Sequence, residues 1–490
     1  MIRWIVLLAS IAAALSLVLV GGSGAVAQTS VRFGAPVYVD QQLAGGEPEV
    51  IADTLHGKLV YSSHEGTTHL YRDGYTMSPW GDFHFVRNYC NQVNIWNSSD
   101  GVNWFRADYL GSGCPQNPSQ NTGFSDPDLT IDAGGRLYNT GINLANDAIF
   151  SSPDGGTTWD RGTPYCHNGD RPWLAAGAAD QVFMNSNTLE GDASGQQIFE
   201  STDGGSSCST TGISGVGTTS DGWSYSGVGK LYYVKSTKGF VIPAYFTKSG
   251  KFGLGIVTWR PDQADPTVVV PHRGIDSTSE FSHWPAIALD RKGTIYLVWD
   301  PDNRQAGTSG GCNGAATPAP NSIQMIYTKD LGKTWSKPIT VTAPGNARAF
   351  WPWVAAGSAG SVSVVWYQTG PGQLPDNDCQ AADIYVYEAT ILKATSNASR
   401  TIQRTNVVGR PVHSGLVCQG GTTCVATGQD RRLGDYFTNA VDARGCVIIA
   451  TGDTKLTDPT TGAPYPTARP LFVRQNGGPS LYGAKNCDSE

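Results

Sequence analysis

The sequence predicts an all-β chain folded as a single β-propeller of seven four-stranded antiparallel blades, with six as the alternative count. Three observations carry this. One short turn motif occurs four times, a strand–turn–strand unit recurs seven times, and no stretch shows the periodicity of an amphipathic helix. The cleanest copy of the turn is Ser152-Pro153-Asp154-Gly155-Gly156-Thr157-Thr158-Trp159. Thr328-Lys329-Asp330-Leu331-Gly332-Lys333-Thr334-Trp335 repeats it, and Ser201-Thr202-Asp203-Gly204-Gly205-Ser206-Ser207-Cys208 repeats it with Cys in place of Trp. Ser98-Ser99-Asp100-Gly101-Val102-Asn103-Trp104 is one residue shorter. Each copy follows an alternating apolar run, such as Ile323-Gln324-Met325-Ile326-Tyr327, which places it at a hairpin. There Asp accepts backbone N–H groups of its own turn, Gly takes the left-handed position, and Trp packs the hairpin on its neighbour.

The longer repeat opens with a polar or aromatic residue beside Pro, then a strand, a turn and a second strand. Glu47-Pro48-Glu49 leads into Val50–Asp53 and Lys58–Tyr61. Asp126-Pro127-Asp128 leads into Leu129–Asp132 and Arg136–Tyr138, and Arg171-Pro172-Trp173 into Leu174–Ala176 and Gln181–Met184. Trp284-Pro285 and Trp351-Pro352-Trp353 open two more units. Two units lack the Pro, one at Lys230–Val234 with Gly239–Pro243 and one at Asp435–Thr438 with Cys446–Ala450. Seven units of about 60 residues each are blade-sized. The fourth is weakly marked, hence the alternative of six. Arg32–Val39 precedes the first unit and is expected to supply the strand that closes the ring, giving one propeller over about residues 31–476.

The N-terminus has the layout of a secretory signal peptide. Arg3 precedes an apolar run from Ile5 to Val20 and a small-residue stretch ending at Ala27, so residues 1–27 are the expected leader and 28–490 the single propeller domain. Sixteen apolar residues are short for a membrane span. Ten cysteines, an even number, suit pairing outside the cell. Cys90–Cys114, Cys166–Cys208 and Cys418–Cys424 are the candidate loop staples, and no CxxC pair suggests a metal site instead. A formal charge of −7 and the lack of a basic run point away from nucleic acid. The expected product is a secreted monomer without a transmembrane anchor.

In a propeller the first strand of each blade lines the central channel, and its starting residues face one mouth. Those residues are Glu47, Glu49, Asp126, Asp128, Asp170, Arg171, Trp173, His283, Trp284, Trp351, Trp353, Asp435 and Tyr436, with Arg431 and Arg432 just before the last pair. Carboxylates, arginines and aromatics converging on one funnel suit a glycan: Trp and Tyr stack on sugar faces, Arg pairs with acidic sugars, and carboxylates act as acid or nucleophile. Plainer readings stand beside this one. Asp126 and Asp128 cap turns, Trp284, Trp351 and Trp353 pack blades, and Glu47, Asp126, Asp170 and Asp435 hold a structural cation such as calcium. No other cofactor is expected. Gly307-Thr308-Ser309-Gly310-Gly311 fits a hydrolase elbow only in letters, since no strand precedes it and no helix follows. His64, Glu65 and His69 have the wrong spacing for a zinc helix.

The four turns resemble the Asp box of bacterial sialidases and other β-propellers. That resemblance implies a secreted carbohydrate-active protein, a sialidase-like exo-glycosidase acting at the mouth. Its counterpart from another class is a non-catalytic propeller that binds glycan or protein at the cell surface. Sialidases use three Arg on the substrate carboxylate, an Asp acid, and a Tyr–Glu pair. By position the resemblance implies Asp126 or Asp128 as acid and Tyr436 as nucleophile, with Glu49 among the catalytic candidates. Arg171 and Arg432 become carboxylate clamps, and Arg431, Trp173, His283, Trp284, Trp351 and Trp353 further substrate contacts. The family's Arg-Ile-Pro triplet is absent, Arg32 being nearest in place, and sialidases have six blades.

Overall fold

The computed structural model describes residues 30–78, 81–86, 89–107, 123–143, 146–188, 196–260, 269–277, 281, 283–301, 321–373, 381–418, 420–483 and 486–488. The expected leader, the Gly307–Gly311 stretch and the Cys90–Cys114 pairing lie outside them. Seven antiparallel sheets make seven blades. Their inner strands are Glu49–Asp53, Ser125–Ile131, Gly169–Ala176, Tyr232–Val234, Ala286–Leu289, Ala349–Ala356 and Thr438–Val441. Successive blades touch through these strands, except that blade 4 meets blade 5 through Gly239–Lys248, and the seventh returns to the first.

Ring closure uses both chain ends. Blade 7 takes Thr438–Val441, Val447–Asp453 and Arg469–Gly477 from the C-terminal part, and its outer edge is Arg32–Phe33 and Val37–Tyr38 from the N-terminal part. The Arg32–Val39 run therefore does close the ring. Cys446–Cys487 ties the tail back to the same blade, while Cys166–Cys208 and Cys418–Cys424 pair as the sequence suggested. The weakly marked fourth unit is a true blade, and its faint signature has a structural cause. The long strand Gly239–Lys248 is lined on one edge by two short strands, Tyr232–Val234 and Ser224–Gly227, the latter paired with Val216–Thr218. Among the described residues, no helix is long and apolar enough to cross a membrane.

Apolar clusters fill the seams between blades. Val50, Leu59 and Tyr61 of blade 1 meet Ile448, Ala450 and Phe472 of blade 7, and Val60 and Ile95 meet Leu129 and Leu137 of blade 2. All four repeated turns join the third and fourth strands of their blades. In each, the Ser or Thr hydroxyl donates to the Asp carboxylate, as Ser152 does to Asp154 at 2.9 Å and Thr328 to Asp330 at 2.8 Å.

A second Asp recurs after the inner strand. Asp290 Oδ1 accepts the amides of Lys292 (2.9 Å) and Thr294 (3.0 Å), while its Oδ2 accepts the Tyr296 hydroxyl (2.8 Å) and the Gly360 amide of the next blade (3.0 Å). Asp132 repeats the pattern with Gly134, Arg136, Tyr138 and, in the next blade, Asp180. One buried carboxylate thus shapes a hairpin and staples two blades. Asp290→Ala leaves four donors without their acceptor, and we expect a loss on the order of 3 kcal/mol in urea unfolding. An unchanged midpoint would show that the staple contributes nothing.

Candidate functional site

Four of the five aromatic or polar residues that precede Pro at a strand start share one unusual backbone state. Glu47, Asp126, Arg171 and Trp351 have φ of 46°, 52°, 56° and 52°. In blades 2, 3 and 6 the ladder register slips at this point, between Ser125 and Asp128, Asp170 and Trp173, and Phe350 and Trp353. These are β-bulges, and a bulge re-aims a side chain out of the alternating pattern. A left-handed non-glycine residue costs on the order of 1–3 kcal/mol. Four of them at one end of one channel is a repeated device, and it turns two acids, a guanidinium and an indole toward the same mouth.

Arg171, His283, Trp284, Trp351 and Asp435 line a cavity of about 360 Å³, together with Tyr245, Phe246 and Phe281. The Arg171 side chain is 42% exposed, stands 3.7 Å from Asp435 and lies over the Trp284 ring at 4.7 Å. Arg431 grips Asp435 with two bonds, of 2.6 and 3.0 Å. His283 Nε2 is 2.7 Å from the Asp435 carbonyl oxygen. Glu47 Oε1 accepts the Asp435 amide at 2.9 Å and lies 2.9 Å from His69 Nε2, whose ring stacks on buried His64 at 3.9 Å. Asp126 accepts the Ser125 hydroxyl at 2.7 Å.

Below the mouth, aromatic rings close the channel. Tyr436 packs against Trp173 (5.1 Å), Trp353 (5.9 Å) and Trp284 (6.4 Å), and its hydroxyl donates to the Pro127 carbonyl at 2.6 Å. Trp173 and Trp353 are wholly within this plug. Beside it lies a buried charge cluster. Lys230 Nζ donates to Glu49 Oε1 at 2.8 Å, to the Leu129 carbonyl at 2.9 Å and to Asp128 Oδ1. The free oxygens of those acids accept the amides of Leu129 (2.9 Å) and Leu174 (2.6 Å). Arg432 faces elsewhere: Asp430 holds it at 2.6 Å, and it lies over the ring of Tyr71.

The mouth acids divide sharply in affinity for protons. Burial raises Glu47 first, Asp435 adds to it, and Arg431 and Arg171 oppose, leaving the carboxyl pushed up to about 8. Asp126 is raised well above the ordinary range by burial, then by Glu47 and Asp170, against its Ser125 bond and Arg171. Asp435 goes the other way. Burial would raise it too, but the paired Arg431 and then Arg171 outweigh that and hold it ionised far below the usual range. Burial, then the surrounding carboxyls, pushes the Tyr436 hydroxyl well up. Near neutrality a protonated Glu47 therefore stands beside an ionised Asp435, and Asp126 holds its proton more tightly than an ordinary aspartate. Among the described residues, no three acidic, His or Cys side chains converge as a metal site requires.

The structure thus gathers Arg171, His283, Trp284 and Trp351 at one cavity; Arg431 reaches it through Asp435, and Asp126 is near enough to Arg171 and Glu47 to interact with their charges. Glu49 and Asp128 lie in the charge cluster, Trp173, Trp353 and Tyr436 in the plug. Lys230 and His69 went unnoticed as partners of these groups. Lys230 did carry a signal, as the charged residue opening the one inner-strand unit with no acid or Pro.

No family model matches the chain, and no curated protein does. Solved structures do. A protein of unknown function from Dyadobacter fermentans aligns over 91% of this chain and 99% of its own, at 12% identity and TM-score 0.42. The phage phi92 endosialidase aligns over 91% and 69%, at 12% identity and TM-score 0.43. A leech intramolecular trans-sialidase aligns over 89% and 68%, at 10% identity and TM-score 0.37. At such values none of them tells what this chain does.

Lys230→Met strips from two buried carboxylates the one cation paired with both among the described residues, and we expect a loss of about 3–5 kcal/mol in chemical denaturation. Glu47 gives a pH signature. A carboxyl raised in the fold contributes stability below its unfolded value of 4.5 that is lost as pH rises through about 8. Stability of Glu47→Gln should accordingly fall less over that window than wild type, as read from unfolding midpoints at pH 5 and pH 8.5. Parallel curves would contradict the assignment.

Proposed function

We propose that the protein is exported and acts on glycans at the propeller mouth, as a glycoside hydrolase of sialidase-like type. The observation that carries this is an aromatic-walled cavity lined by Asp435 and the exposed Arg171 guanidinium, with Asp126, whose proton affinity is raised where that of Asp435 is lowered, close enough to interact with Arg171. Groups of one chemical kind whose environments push their proton affinities apart are suited to acid and base roles. Asp126 acts as general acid on the leaving oxygen, and Asp435 stabilises the positive charge that develops on the sugar ring. Arg171 binds an acidic sugar substituent, its fork being free on the solvent side. Trp284 and Trp351 wall the sugar, and His283, which burial lowers to about 4, stays neutral. Asp128, Glu49 and Tyr436 support the mouth through Lys230 and Pro127. The three disulfides among the described residues and the apolar leader support export.

A second reading, a non-catalytic glycan-binding propeller, is favoured by one specific observation: the polar groups of Asp128, Glu49 and Tyr436 all have partners inside the channel.

The two part on turnover. Mature protein is assayed on fluorogenic sialosides and a polysaccharide panel. We expect release that falls 10²–10⁴-fold in Asp126→Asn, a KM raised more than kcat is lowered in Arg171→Ala, and little change in Tyr436→Phe. Full turnover in Asp126→Asn overturns the acid assignment. Folded protein that releases nothing, yet binds a glycan through Arg171, establishes the second reading.

A further inference from the structure

Away from the mouth, a second cavity of about 460 Å³ opens on the rim between blades 4 and 5. Blade 4 contributes Thr258, Trp259, Arg260, Val270 and His272, and the turn of blade 5 contributes Lys329, Asp330, Leu331 and Lys333. Its volume falls within the range of small-ligand sites. The charge balance is unlike the rest of the molecule. The chain is net −7, yet Arg260, Lys329 and Lys333 are exposed here and none is ion-paired with a described residue.

Asp330, the acid among the described lining residues, makes no ion pair with them. Asp330 accepts the Thr334 amide (2.9 Å), the Thr334 hydroxyl (2.6 Å) and the Thr328 hydroxyl (2.8 Å). The carboxylate is thus committed to its own turn. The cations are also not part of the turn's design. The other turns carry Pro153 and Thr157, or Thr202 and Ser206, where this one carries Lys329 and Lys333. This copy alone departs in a further way: Leu331 takes φ 58° where Gly155 and Gly204 take 71°, and its side chain lines the cavity. Gly332 packs so closely that a Cβ there would come within 2.7 Å of His272, which fixes the turn against blade 4.

We propose that this rim cavity binds an anionic glycan chain, through sulfate or uronate groups held by Lys329, Lys333 and Arg260. Three cations with no ion-pair partner among the described residues, Lys329 lying 5.8 Å over the Tyr327 ring, surround an apolar floor and select a ligand that brings spaced negative charges and a ring. The choice of a glycan to carry the anions rests on the reading of the mouth; the site itself does not. Phe240 and Trp259, which line it, lie at the opposite end of their paired strands from Phe246 and Phe252 of the mouth cavity, so it is a site of its own.

The test is titration calorimetry of the mature protein with a heparin hexasaccharide, an unsulfated oligogalacturonate of equal length, and a single-stranded DNA of equal charge. We expect one or both glycans to bind, at least tenfold more weakly in Lys329→Ala/Lys333→Ala and at 0.5 M salt, and as tightly as wild type in Arg171→Ala. Which glycan wins distinguishes sulfate from carboxylate. The proposal falls if neither glycan binds, if the double variant binds as wild type, if Arg171→Ala alone abolishes binding, or if DNA binds more tightly. Both lysines are exposed, and an unchanged thermal midpoint confirms that the variant folds. Loss of rim binding with mouth turnover intact, or the reverse, separates the two readings.

Discussion

A propeller has to hold its inner strands around an axis that no strand of its own occupies, and here Lys230 meets that constraint. Its ammonium group comes from blade 4 and meets Glu49 of blade 1 together with Asp128 and the Leu129 carbonyl of blade 2. The same carboxylates accept amides from blades 2 and 3. Four blades are thereby tied by one buried cation. Such a cluster is no bargain in free energy, since desolvating three charges costs about as much as their attraction returns. Its consequence is geometric: a blade that shifted would strand a charge in an apolar channel, so the mouth above is held to one shape.

Rigid support makes the strained bulges tenable. A residue before Pro is steered by its neighbour toward extended backbone, and the left-handed state at Glu47, Asp126, Arg171 and Trp351 persists because both flanking ladders are fixed. Were these residues in register, side chains would alternate between the two faces of each blade. The bulge converts strand-edge residues into mouth residues. The plug of Trp173, Trp353 and Tyr436 below them keeps whatever enters at the cavity rather than letting it pass down the channel.

The fold was readable because its signals are local. A turn of eight residues with Asp at a fixed place, and an X-Pro pair before an alternating run, each reports a short-range backbone requirement. Seven blades, the closing strand at Arg32–Val39 and two disulfides followed from that. The site was readable only as a set of candidates. Periodicity placed Asp126, Asp128, Glu49 and Tyr436 near the axis, but their partners lie far off in the chain: Lys230 is 181 residues from Glu49 and 102 from Asp128, and Tyr436 is 309 from Pro127. No spacing rule reaches across such distances, so nothing in the sequence told an Asp128 held by Lys230 and the Leu174 amide from an Asp126 held by its neighbour Ser125.

That two-residue difference decides the chemistry. Asp126 and Asp128 share residue type, strand and Pro127, yet one faces a cation at hydrogen-bond distance and the other faces acids. Glu47 and Asp435 repeat the contrast across a single hydrogen bond of 2.9 Å. Burial raises Glu47 and Asp126 and by itself would raise Asp435, so burial cannot be what sorts these three; the placement of the guanidinium groups does. Arg431 reaches Asp435 with both nitrogens and stands 3.8 Å from Glu47 with one. The opposite proton affinities of Glu47 and Asp435 are therefore set by where two arginines are anchored. The strained backbone at Arg171 and the Asp430-Arg431-Arg432 turn are what anchor them.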